Sequence, residues 1–402
     1  MLNINNIIDR LKEETNNQDN IIYRKKIIKK RLLYIIYLEE LTSSDKISDF
    51  IIRSLTNIEN NLKNKNHLFN NIENNISNFK VKKVYTYEDI CKFLHQGFTI
   101  ILLEDEKYSL ALETKADLSR SIDKPNTEVT IRGPKDAFVE DYQKNIGLIR
   151  KRIKSNNLWI KSLNIGKYTN TKISVLYLKN IVKKDLVEKI FMKLNTLQID
   201  GIINSGTIKN LLSEDSKTIF PTIYTTERPD MATGALLKGK VIILIDNSPY
   251  VLIIPGEFKE YFMTAEDSYA KSFNTSFIRI LRYLSFAIAL FAPAIYIALI
   301  TYNQEMLPSE LLISFAIQRD SVPFPAFVEA FIMITAFEII READLRVPGF
   351  AGSSLSIVGA LILGEAAVNA GVVSPIMIIV IAITALSSLP FSEQEMINAL
   401  RW

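Results

Sequence analysis

The sequence predicts a multi-domain chain: an α/β cytosolic region of two similar lobes, followed by an all-α transmembrane helical domain. Three observations predict it. The 402 residues divide sharply in charge, because no lysine follows Lys271: residues up to that point hold 42 basic and 34 acidic side chains, whereas Ser272–Trp402 holds six arginines against ten acids. The last third contains apolar stretches of near membrane-spanning length. The first two thirds contain a duplication, in which residues from about 5 to 112 align with those from about 145 to 254. The domains expected are lobe 1 over 1–112, a connection over 113–144, lobe 2 over 145–256, a connecting helix over 257–279 and a transmembrane domain over 280–402.

The two lobes read in parallel. NIIDRLKEE from Asn6 matches NIGLIRKRI from Asn145, and NIIYRKKIIKKR from Asn20 matches LWIKSLNIGKYT from Leu158. YLEELTSSDKISDFIIRSL from Tyr37 and YLKNIVKKDLVEKIFMKL from Tyr177 each read as a strand end followed by an amphipathic helix. The clearest pair is Gly97–Leu112 beside Gly239–Ile254, two β-rich runs interrupted by Glu104-Asp105-Glu106 or Asp246-Asn247-Ser248. A polar turn between alternating runs is a β-hairpin signal. The connection between the lobes is more polar and carries Pro125 and the run IRGPKDAF. Such a lobe pair can close on a ligand or serve as a rigid platform.

Four spans are expected, over 283–301, 325–340, 351–368 and 372–389. The first has no charge and carries Pro293, which removes a backbone donor and kinks a helix. Leu311–Gln318 is too short to cross and reads as an interfacial or re-entrant helix. Lys271, Arg279 and Arg282 precede span one, and Arg341 and Arg346 follow span two. Positive residues stay on the cytoplasmic side, so the lobes are expected in the cytosol.

Carboxylates inside these spans are the first functional candidates, since an ionisable group at membrane depth is costly. Span two carries Glu329 and Glu338, nine residues apart and so on opposite helix faces. Glu338 is expected to pair with Arg341, one turn on. Glu329 has no such neighbour, which leaves a cavity, a distant partner or a protonated state open. In span three Gly352, Ser356, Ala360 and Gly364 recur every four residues and form one small-residue face, with Glu365 beside it. That face allows close helix packing or lines a narrow passage.

Several chemistries are not expected. A single cysteine, Cys91, excludes an internal disulfide, and with only His67 and His95 no zinc constellation arises. GALLKGKV (Gly234–Val241) has the spacing of a phosphate loop but ends in valine and leads into a strand. Basic runs at Arg24–Arg31 and Arg150–Lys154 read as solvated or lipid-facing surfaces, with no nucleic-acid role. Neither catalysis, a metal nor a cofactor is expected. The N-terminal segment lacks the pattern of a signal peptide, so insertion is expected to begin at the first internal span.

Several longer runs carry a family resemblance. These are Ile131-Arg132-Gly133-Pro134 with Asn145–Arg150, Thr226-Glu227-Arg228-Pro229-Asp230, VPFPAFVEA (Val322–Ala330), READLRVP (Arg341–Pro348) and SIVGALILGEAAVNAGVVSP (Ser356–Pro375). Through them most of the chain resembles the A subunit of GerA-type spore germination receptors. The resemblance implies an inner-membrane protein of the dormant spore, partnered by a transporter-like B subunit and a lipoprotein C subunit, within a complex that senses small germinants. It further implies a homo-oligomer, in contact with membrane lipid, that conducts ions once germinant binds the B subunit. The chain departs from the family pattern twice. It has Gly349-Phe350 where Arg-Pro is frequent, and the family continues past the equivalent of Ala399–Trp402 with a further hydrophobic span.

The function expected is therefore a receptor subunit and ion-channel component. Glu329, Glu365, Gly352, Ser356, Ala360 and Gly364 are the candidates for the ion path or its gate. The alternatives are a family paralogue that amplifies ion release without sensing germinant, and a secondary transporter that couples through Glu329 or Glu365.

Overall fold

Leu33 and Ile35 bury into one apolar cluster while Ile36 and Leu38 bury into another, and Ile101 and Leu103 alternate in the same way with Ile100 and Leu102. A strand with apolar residues on both faces belongs at the centre of a sheet covered on both sides. The computed structural model of this chain describes residues 4–28, 31–56, 69, 80–117, 125, 128, 130, 132–213, 220–346 and 363–391. Within it lie two units, Met1–Glu257 and Phe258–Trp402.

The first unit holds two similar α/β lobes. Lobe 1 contains helix α1 (Ile4–Glu14), strands β1 (Ile21–Ile28), β2 (Arg31–Leu38) and β3 (Val81–Val84), helix α2 (Tyr87–Leu94), and strands β4 (Phe98–Leu103) and β5 (Ser109–Glu113). Lobe 2 contains α3 (Tyr142–Arg152), β6 (Leu158–Ile165), β7 (Thr171–Leu178), α4 (Lys184–Thr196), α5 (Ser205–Ser213), β8 (Tyr224–Thr226), α6 (Pro229–Leu237), β9 (Val241–Ile245) and β10 (Val251–Ile254). The sheet orders are β1-β2-β4-β5-β3 and β6-β7-β9-β10-β8, the same topology twice, antiparallel throughout.

The duplication extends to single backbone positions. Leu38 and Leu178 close the first hairpin of each lobe against Ile21 and Leu158. The second hairpins turn through Asp105 (φ 68°) and Asn247 (φ 61°), both in the left-handed region that short polar side chains tolerate. Before each second hairpin a helix stops at a glycine, Gly97 (φ 79°) or Gly239 (φ 80°). The N–H of Gly97 donates to the Leu94 carbonyl at 3.1 Å, and that of Gly239 to Leu236 at 3.0 Å. An added Cβ at Gly97 would lie 2.7 Å from the Leu41 carbonyl oxygen, and at Gly239 3.0 Å from that of Ile181, so both the turn and the space require glycine.

Side-chain caps mark helix starts in the lobes. Thr86 accepts the Asp89 N–H at 3.2 Å at the head of α2, and Asp141 accepts the Lys144 N–H at 3.1 Å at the head of α3. The glycine-rich GALLKGKV run is the end of α6 and the start of β9, and Lys240 donates to the Pro255 carbonyl at 2.8 Å.

The second unit is helical: α7 (Ser272–Thr301), α8 (Ser309–Arg319), α9 (Ala326–Arg346) and α10 (Pro375–Ser388), with a further helical stretch over 363–369. Among the described residues α7 is the one helix long and apolar enough to cross a membrane, and α10 is a shorter apolar helix. Residues 351–362, which include most of the third expected span, lie outside the described residues. A connecting helix is expected over 257–279, and the stretch from Ser272 on is helical, as the start of α7. Two 3-10 turns, Phe258–Phe262 and Ala265–Ser268, precede it. Asp267 fixes them, because its carboxylate bonds Arg282 (2.9 Å) and Arg279 (2.9 Å) and so folds the turns back on the base of α7. Phe262 then stacks on Tyr283, with ring centroids 4.2 Å apart, and meets Phe286 and Phe391 edge-on.

Candidate functional site

Glu329 lies in the first turn of α9 and is wholly buried. Oε1 accepts from Arg319 at the end of α8, with nitrogens at 3.2 and 3.3 Å. Oε2 accepts both the backbone N–H of Ser374 (2.9 Å) and its hydroxyl (2.8 Å). Ser374 caps α10, whose first residue is Pro375, so the carboxylate meets the amino end of that helix. Helix amino ends carry unpaired N–H groups and partial positive charge, which suit a carboxylate. Glu329, which has no partner within its own helix, thus finds two elsewhere and ties the ends of three helices together.

The remaining span candidates behave differently. The Glu338 carboxylate pairs with the Arg341 guanidinium one turn along α9. Glu365 is exposed and, among the described residues, makes no ion pair. Gly364 is buried, and a Cβ there would meet Ile378 of α10 at 3.7 Å, an ordinary packing distance. Gly352, Ser356 and Ala360 lie outside the described residues.

The family-motif residues converge in the first unit, although some ninety positions separate them. Arg228 is fully buried and binds Asp230 through two bonds, of 2.8 and 3.1 Å. Its remaining donors reach the carbonyls of Glu128 (3.1 Å) and Pro134 (3.0 Å) and the Thr130 hydroxyl (3.0 Å). Glu227 accepts the Glu128 N–H at 2.9 Å, and its carbonyl accepts the Phe138 N–H at 2.7 Å. Burial pushes the Glu128 carboxyl up, opposed by hydrogen bonds from Thr226 and Tyr224 and from the Glu227 N–H. Pro229 opens α6, where a missing N–H costs nothing. Arg132 and Gly133 stand exposed on the loop so held, with Pro134 half-buried behind them. These residues are a scaffold that fixes the inter-lobe connection onto lobe 2.

Sequence reasoning missed the joint between the lobes. Arg150, expected on a solvated basic run, is buried, because α3 is wedged between its own sheet and the Glu39–Leu41 turn of lobe 1. Its guanidinium pairs with Glu40 and donates to Gln18 at 2.6 Å, while Gln18 donates to the Leu158 carbonyl at 3.0 Å. Burial pushes the Glu40 carboxyl up and the Arg150 guanidinium down, and each partner opposes the other's shift. Beside them Asn156 donates to Glu14 (3.0 Å) and Cys91 (3.2 Å) and accepts from His95 Nε2 (2.5 Å). His95 is held neutral, pushed down to about 4 by burial and by the nearby Arg150 charge. The available signal was positional: Arg150 sits among apolar residues of NIGLIRKRI, a register that faces protein.

Comparison with known proteins identifies the family of the chain. The model of the family described as Bacillus/Clostridium GerA spore germination protein matches residues 9–402. Spore germination protein KA of Bacillus subtilis (strain 168) is 40% identical over 385 residues, covering 95% of this chain and 71% of that protein. Spore germination protein B1 of the same organism is 35% identical over 387 residues, covering 96% of this chain and 80% of that protein. The crystal structure of the N-terminal domain of the A subunit of the Bacillus megaterium spore germinant receptor GerK3 covers 62% of this chain and 94% of its own, with 28% identity and a TM-score of 0.49. With a family match over nearly its whole length, this membrane protein belongs to the GerA spore germination protein family, the family of germinant-receptor A subunits.

Proposed function

We propose that this chain is the membrane A subunit of a spore germinant receptor, placed in the spore inner membrane with both lobes in the cytosol. Several copies together form an ion path that a small germinant opens. A transporter-like B subunit and a lipoprotein C subunit complete the receptor.

The observation that carries the reading is the Arg319–Glu329–Ser374 tie. A carboxylate and a guanidinium within an apolar helical unit are costly, and their presence there favours a role in handling charge. Because four donor contacts saturate Glu329, it suits a gate better than a bare lining charge. The tie holds the ends of α8, α9 and α10 in one arrangement, and its rupture would free them to take another. Glu365 and the face of Gly352, Ser356, Ala360 and Gly364 are the candidates for the passage itself.

The test is ion release from spores carrying Glu329→Gln or Ala360→Leu, together with conductance of the purified chain in liposomes. Glu329→Gln keeps the shape but removes the charge that holds Arg319, so ion release without germinant is expected to rise. Ala360→Leu enlarges a small face and is expected to reduce germinant-triggered release. Unchanged release and conductance in both variants would overturn the ion-path reading.

A further inference from the structure

The two lobes place equivalent residues in equivalent backbone positions but do not cover them equally. Gly97 and Gly239 end matching helices and touch matching carbonyls, those of Leu41 and Ile181, so Leu41 corresponds to Ile181 and His95 to Leu237. In lobe 1 both positions are covered, Leu41 at 6% and His95 at 4% exposure, on the side where α3 and Asn156 of lobe 2 pack. In lobe 2 the same positions stand open, Ile181 at 50% and Leu237 at 59%. A Cβ added at Gly239 would lie 3.2 Å from the Ile181 side chain, and Leu237 stands two residues before that glycine, so both exposed apolar residues border the same turn.

The complementary half is also open. Helix α3, which fills the joint from lobe 2, is buried on both sides, whereas its counterpart α1 buries only Ile4, Ile7, Ile8 and Leu11 against its own sheet. The outer stripe of α1, Asn5, Asp9 and Glu13 at successive i+4 positions, is exposed. The lobe pair therefore carries half a joint at either side: a receiving surface on lobe 2 and an inserting helix on lobe 1. Charge agrees, since exposed Lys179 and Lys238 flank the Ile181–Leu237 patch while the α1 stripe carries Asp9 and Glu13.

We propose that the Ile181–Leu237 surface of lobe 2 receives α1 of a second copy of this chain, which repeats between copies the joint already made within one. This gives a surface to the self-assembly in the proposed function and rests on that reading. The contact is head-to-tail, and a head-to-tail contact that closes on itself makes a ring. The sign of the charge pair is reversed relative to the internal joint, where the lobe 2 helix brings Arg150 to Glu40. That reversal disfavours confusion of the two joints.

The experiment measures the mass of the purified full chain in nanodiscs or detergent, alone and in variants. Ile181→Asp with Leu237→Asp is expected to shift the oligomer to smaller species and to weaken self-association at least tenfold. Lys179→Glu with Lys238→Glu, or Asp9→Lys with Glu13→Lys, is expected to do likewise, and the two reversed pairs combined are expected to restore assembly. As a check independent of folding, Lys238→Cys and Glu13→Cys chains, each with Cys91→Ser, are expected to cross-link only when mixed. An oligomer unchanged in the Ile181→Asp/Leu237→Asp chain would overturn this surface and leave self-assembly standing through the membrane helices. In a parallel pull-down from spore membranes, loss of the B or C subunit from the Ile181→Asp/Leu237→Asp chain, with self-association intact, would overturn the second copy as the occupant. A wild-type chain that is monomeric at every concentration would overturn both the surface and the oligomeric reading.

Discussion

Arg150 of lobe 2 and Glu40 of lobe 1 form an ion pair that solvent does not reach, with side chains 1% and 0% exposed. Burial of two charges is expensive, and the pair is tolerable because Gln18 and Asn20 take up further hydrogen-bonding capacity of the two groups. Removal of one partner leaves the other stranded. Arg150→Met or Glu40→Leu alone is expected to destabilise the lobe pair by about 3–5 kcal/mol, and the double substitution by much less. Hydrogen exchange of α3 and of the Glu39–Leu41 turn, measured across the four chains, checks the non-additivity.

His95 makes the same joint sensitive to acid. Asn156 uses its amide nitrogen on Glu14 and Cys91, so its oxygen accepts from His95 Nε2–H and leaves the buried Nδ1 without a partner. Burial first, and the nearby Arg150 charge second, disfavour a proton on the ring, and Nδ1 has no acceptor to offset them, so the group is held down near 4. The unfolded chain binds that proton below about 6.5, so between those values it holds more protons than the folded chain. Stability therefore rises with pH through this window and is lost on acidification, by about 3 kcal/mol in all. His95→Gln is expected to flatten the dependence between about pH 4 and 6.5, read by denaturant unfolding at stepped pH.

The duplication and the strand pairing were legible because alternation and turn chemistry are local: Gly97 with Asp105 and Gly239 with Asn247 announce the same hairpin twice. The joint was not legible, because whether Arg150 faces water depends on a second lobe that no local pattern describes. Glu329 shows the same limit at longer range. Arg319 and Ser374 lie 10 and 45 residues away, and only the meeting of three helix ends makes them its partners. Glu338 needed no such meeting, since its partner is one turn away on the same helix.

Arg228 is the next residue whose loss should be costly, because five hydrogen bonds converge on one buried guanidinium. Arg228→Lys keeps the charge but loses the planar fork that spans Asp230 and the two carbonyls. It is expected to destabilise lobe 2 by about 2–4 kcal/mol and to release the loop that carries Arg132 and Gly133. Faster protease cleavage within residues 130–136, with the sheet of lobe 1 unaffected, is the expected readout.

Asp267 governs how the chain enters α7. Burial alone would push its carboxyl up, but hydrogen bonds from Arg282 and Arg279 outweigh that and hold it below the usual carboxylate range. A carboxyl so lowered contributes stability above its unfolded value, near 4, and loses it as pH falls through the folded value. Asp267→Asn removes the charge at every pH and is expected to remove this contribution too. Arg282 also donates to the Phe262 carbonyl at 2.9 Å and to the Thr264 hydroxyl at 3.1 Å, so the two 3-10 turns would lose their hold on the base of α7. Phe262 would then be free to leave Tyr283 and Phe286. Faster hydrogen exchange over 258–268 in Asp267→Asn at neutral pH, matched by the wild-type chain only in acid, is the expected outcome. Equal exchange at both pH values would mean that the aromatic cluster alone holds the turns.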